Sequence, residues 1–242
     1  TTMAALSDVG AAGLAVGQSA TAADARAAIG AAEDFTRTTY DFSSATGVTL
    51  TNRNGTAAVT GGRLVLSIAT RGDYYTSTVN NPEGKVAVVR ADGRVSSRVR
   101  IRARIAARTV AGTTASRLFA HLELSTADST PHRYAIVVGL AGWAHLRRND
   151  TASIAPNDIT GTTLAAALAA GTVVLEIGAS GGVVTGRVSA DSGTTWTAIG
   201  QVRLPELSGN WSGAACGLAC DDSGISGTSS VEWDDLAVET RP

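Results

Sequence analysis

The chain has 242 residues, 44% of them hydrophobic but only 5% aromatic, and a formal net charge of -1. That length suits one large β domain with an appendage, and the near-neutral balance excludes a global field drawing the protein to nucleic acid. No stretch approaches the roughly 20 apolar residues of a membrane-spanning helix, so neither nucleic acid nor membrane insertion is expected.

Residues 1 to 33 form a first unit, rich in Ala, Gly and Ser with apolar residues at helical spacing. Thr1-Thr2-Met3 is not followed by a basic n-region and an apolar run, so no signal peptide is expected at this start. Ser7 is placed to cap a short helix ending at Gly17. Thr21 is placed to cap a second, with Asp24 three residues on and Gly30 as its stop. Helices of about two turns are marginal alone in water. Leu6, Val9, Leu14, Val16 and Ile29 therefore need a partner, either the following domain or sister chains.

From residue 34 to 242 the pattern becomes short strands separated by turns, which predicts an all-β two-sheet sandwich. The predicted strands are Phe35–Phe42, Val48–Asn52, Ala57–Thr60, Arg63–Ala69, Val86–Arg90 and Val95–Arg108, with Gly61-Gly62 and Asp92-Gly93 as hairpin signals. Tyr74-Tyr75 fall in a loop between them. In Arg94–Arg108, Arg98, Arg100, Arg102 and Arg104 alternate with Val99, Ile101, Ala103 and Ile105. Period two places the guanidinium groups on one face and the apolar set in the core.

The next strand, Arg117–Ser125, turns Leu118, Ala120, Leu122 and Leu124 inward, and Arg117, Phe119, His121 and Glu123 outward. Arg133–Arg147 reads as one long strand with Trp143, His145 and Arg147 on a common face. If these strands are neighbours, one sheet face carries Arg98, Arg100, Arg102, His121, Trp143, His145 and Arg147, the candidate ligand-binding set. Arginine forks and tryptophan faces suit acidic or neutral sugars. The bland alternative is a solvated face with each arginine paired to an acid, or a subunit interface.

Thr163–Ala170 reads as a helix stopped by Gly171, and Val173–Gly178, Val183–Ala190 and Trp196–Val202 as strands. Between the last two, Ser189-Ala190-Asp191-Ser192-Gly193-Thr194-Thr195-Trp196 fits S-x-D-x-G-x-x-W, the Asp-box pattern. Asp191 accepts backbone N–H groups across the turn, Gly193 takes a positive φ, and Trp196 folds back over the hairpin. The motif marks a fold rather than an active site. Cys216 and Cys220, on the predicted strand Gly213–Cys220, would lie about 13 Å apart along it. A disulfide needs Cα atoms within about 7 Å, so two buried free thiols are expected. Ser229–Glu239 is the closing strand.

Val59-Thr60-Gly61-Gly62-Arg63-Leu64-Val65-Leu66, Val174-Leu175-Glu176-Ile177, Val183–Ser189 and Val231-Glu232-Trp233-Asp234-Asp235-Leu236-Ala237-Val238 resemble the concanavalin A-like jelly roll in its laminin G-like form. The resemblance implies glycan binding, glycan cleavage or mere packing on neighbours. Glucanases of this kind carry E-x-D-x-x-E on one strand. Here Glu232 and Asp234 match, but Ala237 breaks the triplet, and the two carboxylates are about 6.6 Å apart along the strand. Retaining hydrolysis uses carboxyl groups about 5–5.5 Å apart. His121, His132 and His145 also lack a nucleophile motif. The expectation is therefore a protein without enzyme activity or cofactor. A calcium ion at Asp221-Asp222 is implied by the laminin G-like resemblance.

Leu6-Ser7-Asp8-Val9-Gly10 and Ala23-Asp24-Ala25-Arg26-Ala27-Ala28-Ile29-Gly30 are similar to connectors in tail fibres and minor tail proteins of actinobacteriophages. Lys85 is the only lysine against 20 Lys and Arg together, the codon bias of a GC-rich source. The resemblance implies a homotrimeric virion tail protein, assembled in the host cytoplasm, whose partners are host-surface glycan and other tail proteins. A purely structural tail subunit and a glycan hydrolase of the same fold are the alternatives.

Overall fold

The computed structural model describes residues 36–50, 55–69, 98–111, 118–126, 133–148, 159–160, 162–180, 182–203, 211–220 and 226–241. The helices expected over 1–33, the Val86–Arg90 strand, Tyr74-Tyr75, Arg117, His132 and Asp221-Asp222 lie outside the described residues.

The described residues form an antiparallel two-sheet sandwich of the concanavalin A-like jelly-roll type. Its strands are β1 (Thr36–Tyr40), β2 (Gly55–Thr60), β3 (Arg63–Ile68), β4 (Arg98–Thr109), β5 (Leu118–Thr126), β6 (Arg133–Gly139) and β7 (Trp143–Arg148). They continue with β8 (Ile159–Thr160), β9 (Val173–Ser180), β10 (Val183–Ser189), β11 (Thr197–Arg203), β12 (Trp211–Cys220) and β13 (Ser229–Arg241). One helix, α1 (Thr162–Ala170), precedes β9. The larger sheet runs β11-β10-β9-β4-β13-β3-β2, with β1 also paired to β13; the smaller runs β12-β5-β6-β7-β8.

Period two sorts the side chains. Val99, Ile101, Ala103 and Ile105 of β4 face Leu118, Ala120, Leu122 and Leu124 of β5 across the core, all buried. Burying one such Leu or Ile contributes about 1.5–3 kcal/mol relative to leaving it in water. Cys216 and Cys220 join this core without a disulfide, and burial pushes the Cys216 thiol up. On β13 the phase slips: Val231 and Trp233 point inward, then Leu236 and Val238, so Asp234 and Asp235 fall together between two core residues. The slip lets one strand carry acids outward on either side of it.

The run Arg133–Arg147 is not one strand. It breaks at Leu140–Gly142 into the β6–β7 hairpin, where Gly142 takes φ 105°. Val48–Asn52, expected as a strand, is within 48–50 a single bridge at Thr49.

The Asp-box forms the turn between β10 and β11 as its residues dictate. Asp191 accepts the Thr195 N–H at 2.8 Å, the Thr195 hydroxyl at 2.7 Å and the Ser189 hydroxyl at 2.7 Å. The Thr195 hydroxyl first, then its N–H and Ser189, hold the Asp191 carboxyl down to about 2. Gly193 sits at φ 90°, and a Cβ placed on it would lie 3.7 Å from Trp196 Cζ2. The end of α1 is tied to this turn. Gly171 (φ 70°) and Thr172 close the helix, with Thr172 N–H donating to Ala167 C=O at 3.0 Å. Thr172 C=O then accepts the Ser192 N–H at 2.9 Å, and its hydroxyl donates to Ala190 C=O at 2.7 Å.

Candidate functional site

Two outer faces are available, one on each sheet, and the sequence-derived set divides between them. Arg98, Arg100 and Arg102 are on β4 in the larger sheet, whereas His121 is on β5 and Trp143, His145 and Arg147 are on β7 in the smaller. The single basic and aromatic face expected from the sequence is corrected. Alternation fixed which residues point outward, but β4 and β5 belong to opposite layers.

On the smaller sheet the register builds three rows. The first is Ala219–Phe119–Gly139–Trp143–Thr160, the second Gly217–His121–Val137–His145, and the third Ala215–Glu123–Ala135–Arg147. The Arg147 side chain lies outside the described residues. His121 and His145 are two strands apart, about 10 Å between Cα atoms at ordinary sheet spacing.

Two glycines shape this face. A Cβ on Gly139 would fall 2.0 Å from Trp143 Cε2, so the indole lies flat on the β6 backbone. A Cβ on Gly217 would fall 1.9 Å from His121 Nε2, so that imidazole lies flat on β12. Phe119 meets Trp143 at 5.4 Å between ring centroids, tilted by 56°, and His145 stacks on Trp143 at 4.6 Å and 21°. Offset and tilted ring pairs of this kind add about 0.5–1.5 kcal/mol beyond their area. Phe119, His121, Glu123, Val137 and His145 are all buried, while Trp143 keeps part of its surface exposed. The face is thus an aromatic platform backed by two imidazoles and one carboxylate. Phe119 and Glu123 were not in the sequence-derived set. Their signal was the outward phase of β5, which placed both beside His121.

The larger sheet's outer face is a lattice of ion pairs. Arg63 pairs with Glu232 at 2.6 Å, Arg104 with Asp234, and Arg100 with Glu239 through Nε at 2.6 Å. Glu176 accepts from Arg102 Nε at 3.0 Å and from Arg187 Nε at 2.6 Å. Burial alone would raise the Glu176 carboxyl, but hydrogen bonds from Arg187 and Arg102, and their charges, outweigh it and hold the group below its ordinary value. Both guanidinium groups also lie over Trp196, Arg187 at 4.4 Å and Arg102 at 5.0 Å from the ring centre. Among the described residues no group of three His, Cys, Asp or Glu side chains has metal-binding geometry.

No family model and no curated protein matches this chain. Solved structures do match. The transglycosylase Crh5 in complex with NAG superposes with TM-score 0.58 at 11% identity, covering 85% of this chain and 84% of that one. Lectin I of Ulex europaeus, in complex with the methyl glycoside of α-L-fucose, gives TM-score 0.52 at 13% identity, covering 86% and 99%. The GH43 protein BlXynB of Bacillus licheniformis gives TM-score 0.51 at 12% identity over 84% of this chain; the chain spans only 39% of that protein's length. These likenesses establish the fold.

They also correct the expectation that the protein is not an enzyme. That expectation rested on Ala237 breaking a carboxylate triplet on β13. In the structure Glu232 and Asp234 are ion-paired with Arg63 and Arg104 on the larger sheet. A transglycosylase and a part of a GH43 protein share the fold, so the broken triplet does not exclude enzyme activity.

Proposed function

We propose that this protein binds glycan through the outer face of its five-stranded sheet, as a trimeric phage tail protein touching the host surface. The observation that carries the reading is Trp143, flat over Gly139, braced by Phe119 and His145, and partly exposed amid buried neighbours. A flat indole offers its π-face to the C–H face of a sugar ring, and nearby polar groups then fix orientation. Lectin I of Ulex europaeus and Crh5, solved with sugars bound, support the ligand class. The tail setting and the trimer are supported by the connector-like residues within 1–33.

A second reading is glycan cleavage or transfer. Glu123 supports it as a carboxylate on the same face, two residues from His121.

The test is retention of the full chain on host cell walls and on a glycan array, with product analysis of every glycan retained. Binding should fall at least about tenfold in Trp143→Ala, the loss of one stacking contact of about 1.4 kcal/mol. A chain that retains no glycan, or a variant that binds as wild type, overturns the reading. Released or transferred sugar that disappears in Glu123→Gln establishes the second.

A further inference from the structure

We infer a separate oxyanion-binding site on the larger sheet, built by Arg102 and Arg187 over Trp196. The register sets it up. Arg102 of β4, Glu176 of β9 and Arg187 of β10 stand directly opposite one another in one row. The two arginines flank Glu176 from either side and converge on it, each through its Nε. Two guanidinium cations therefore share one carboxylate, and the row keeps a net charge of +1. By contrast, Arg63 and Arg104 are balanced by Glu232 and Asp234.

The donors are prepared for a ligand. Glu176 is nearly buried, with 7% of its side chain exposed, whereas Arg102 and Arg187 are 40% and 39% exposed. Glu176 and the Trp196 face hold both guanidinium planes, so little freedom remains to be lost on binding. Arg187 spends only Nε on Glu176, and among the described residues its two terminal nitrogens make no hydrogen bond. A planar fork whose two NH2 groups are open among the described residues matches a carboxylate or a phosphate. The ligand is thus an oxyanion on an anionic glycopolymer, either a uronate carboxylate or a phosphodiester. It sits on the sheet opposite Trp143 and does not depend on the platform there.

The experiment measures binding of the full chain to polygalacturonate, to poly(glycerol phosphate) and to neutral dextran, at low and high salt. Retention of at least one anionic polymer but not dextran, weakening with salt, is expected. Arg187→Gln should weaken it about tenfold, the worth of a charged hydrogen bond. Arg187→Lys, which keeps the charge and the fold but loses the fork, should weaken it less. Glu176→Gln should tighten it, because it removes the competing carboxylate. Trp143→Ala should leave it unchanged, which separates this site from the glycan platform. The polymer retained assigns carboxylate or phosphate. Retention of neither, equal retention of dextran, or wild-type affinity in both Arg187 variants overturns the inference.

Discussion

The outer face of the eight-stranded sheet leaves Arg102 and Arg187 about two-fifths exposed, whereas that of the five-stranded sheet buries His121 and His145 at 0% and 4%. Both faces come from the same period-two strands. On the larger sheet charges meet opposite charges one strand away: Arg102 and Arg187 share Glu176, and Arg104 meets Asp234. Such pairs tolerate water and need no close packing. On the smaller sheet, rings replace charges and lie down on glycines: His121 on Gly217, Trp143 on Gly139. A polar group that is buried needs defined partners and defined space. One face is therefore held together by electrostatics that solvent weakens, the other by shape. Substitutions that test shape should have large effects, and those that test surface charge small ones.

The largest effect is expected for Gly139→Val and Gly217→Val. Valine is the better strand former, so at an ordinary strand glycine the change would stabilise. Here the new Cβ would meet Trp143 at 2.0 Å or His121 at 1.9 Å, and the ring must lift. Overpacking of this kind costs about 1–3 kcal/mol, which lowers the melting temperature by about 2–4 °C per kcal/mol in a domain of this size. A melting temperature at or above wild type in both variants would show that the rings do not lie flat. The contrast between the faces would then fail.

An intermediate effect is expected from acid on the larger sheet. The Glu176 carboxyl sits below its ordinary value of 4.5 because Arg187 and Arg102 outweigh the burial that would raise it. A depressed carboxylate contributes stability that is fully present above its unfolded value and is lost as pH falls through its folded value. Melts of wild type and Glu176→Gln should therefore differ most at neutral pH and converge as pH falls below 4.5 and through the folded value. Asp191 behaves in the same sense. Its contribution is present above 3.8 and lost as pH falls through about 2. The Thr195 amide, which donates to it, should exchange faster in Asp191→Asn. A gap between wild type and Glu176→Gln that stays constant down to pH 2.5 would remove the ion-pair account of this face.

The sequence made much of this legible, for identifiable reasons. Strands β3, β4, β5 and β9 to β13 were readable because alternation and turn residues agree. The Asp-box was readable because its hydrogen bonds are local, spanning Ser189 to Thr195. The β6–β7 turn was not, because Leu140-Ala141-Gly142 continues an apolar run and only Gly142 departs in φ. The division of the candidate set was not legible either. His121 and Arg102 both point outward, and nothing local to either strand says which sheet it joins. Nor does alternation reveal that an outward residue is buried. That depends on Gly217 and Gly139, which act from other strands.

The smallest effect is expected for Arg104→Gln, and it is the most exacting test of the charged face. The Arg104–Asp234 pair has side chains 39% and 29% exposed. Exposed pairs contribute about 0–1 kcal/mol, so the melting temperature should barely move. The consequence should appear one residue further along. Asp235 sits at the phase slip of β13, where burial first, and then the charge of Asp234, raise its carboxyl. Arg104 opposes that rise through its charge and a backbone hydrogen bond. With a raised folded value, Asp235 favours folding below 3.8 and that contribution is lost as pH rises through the folded value. Removing the Arg104 charge should move the Asp235 titration further up, read directly from its carboxyl carbon shift. An unmoved titration would show that Arg104 serves Asp234 alone. By linkage an upward shift also lowers stability above the folded value, so at neutral pH the accompanying fall should stay within about 0–1 kcal/mol, the worth of an exposed pair.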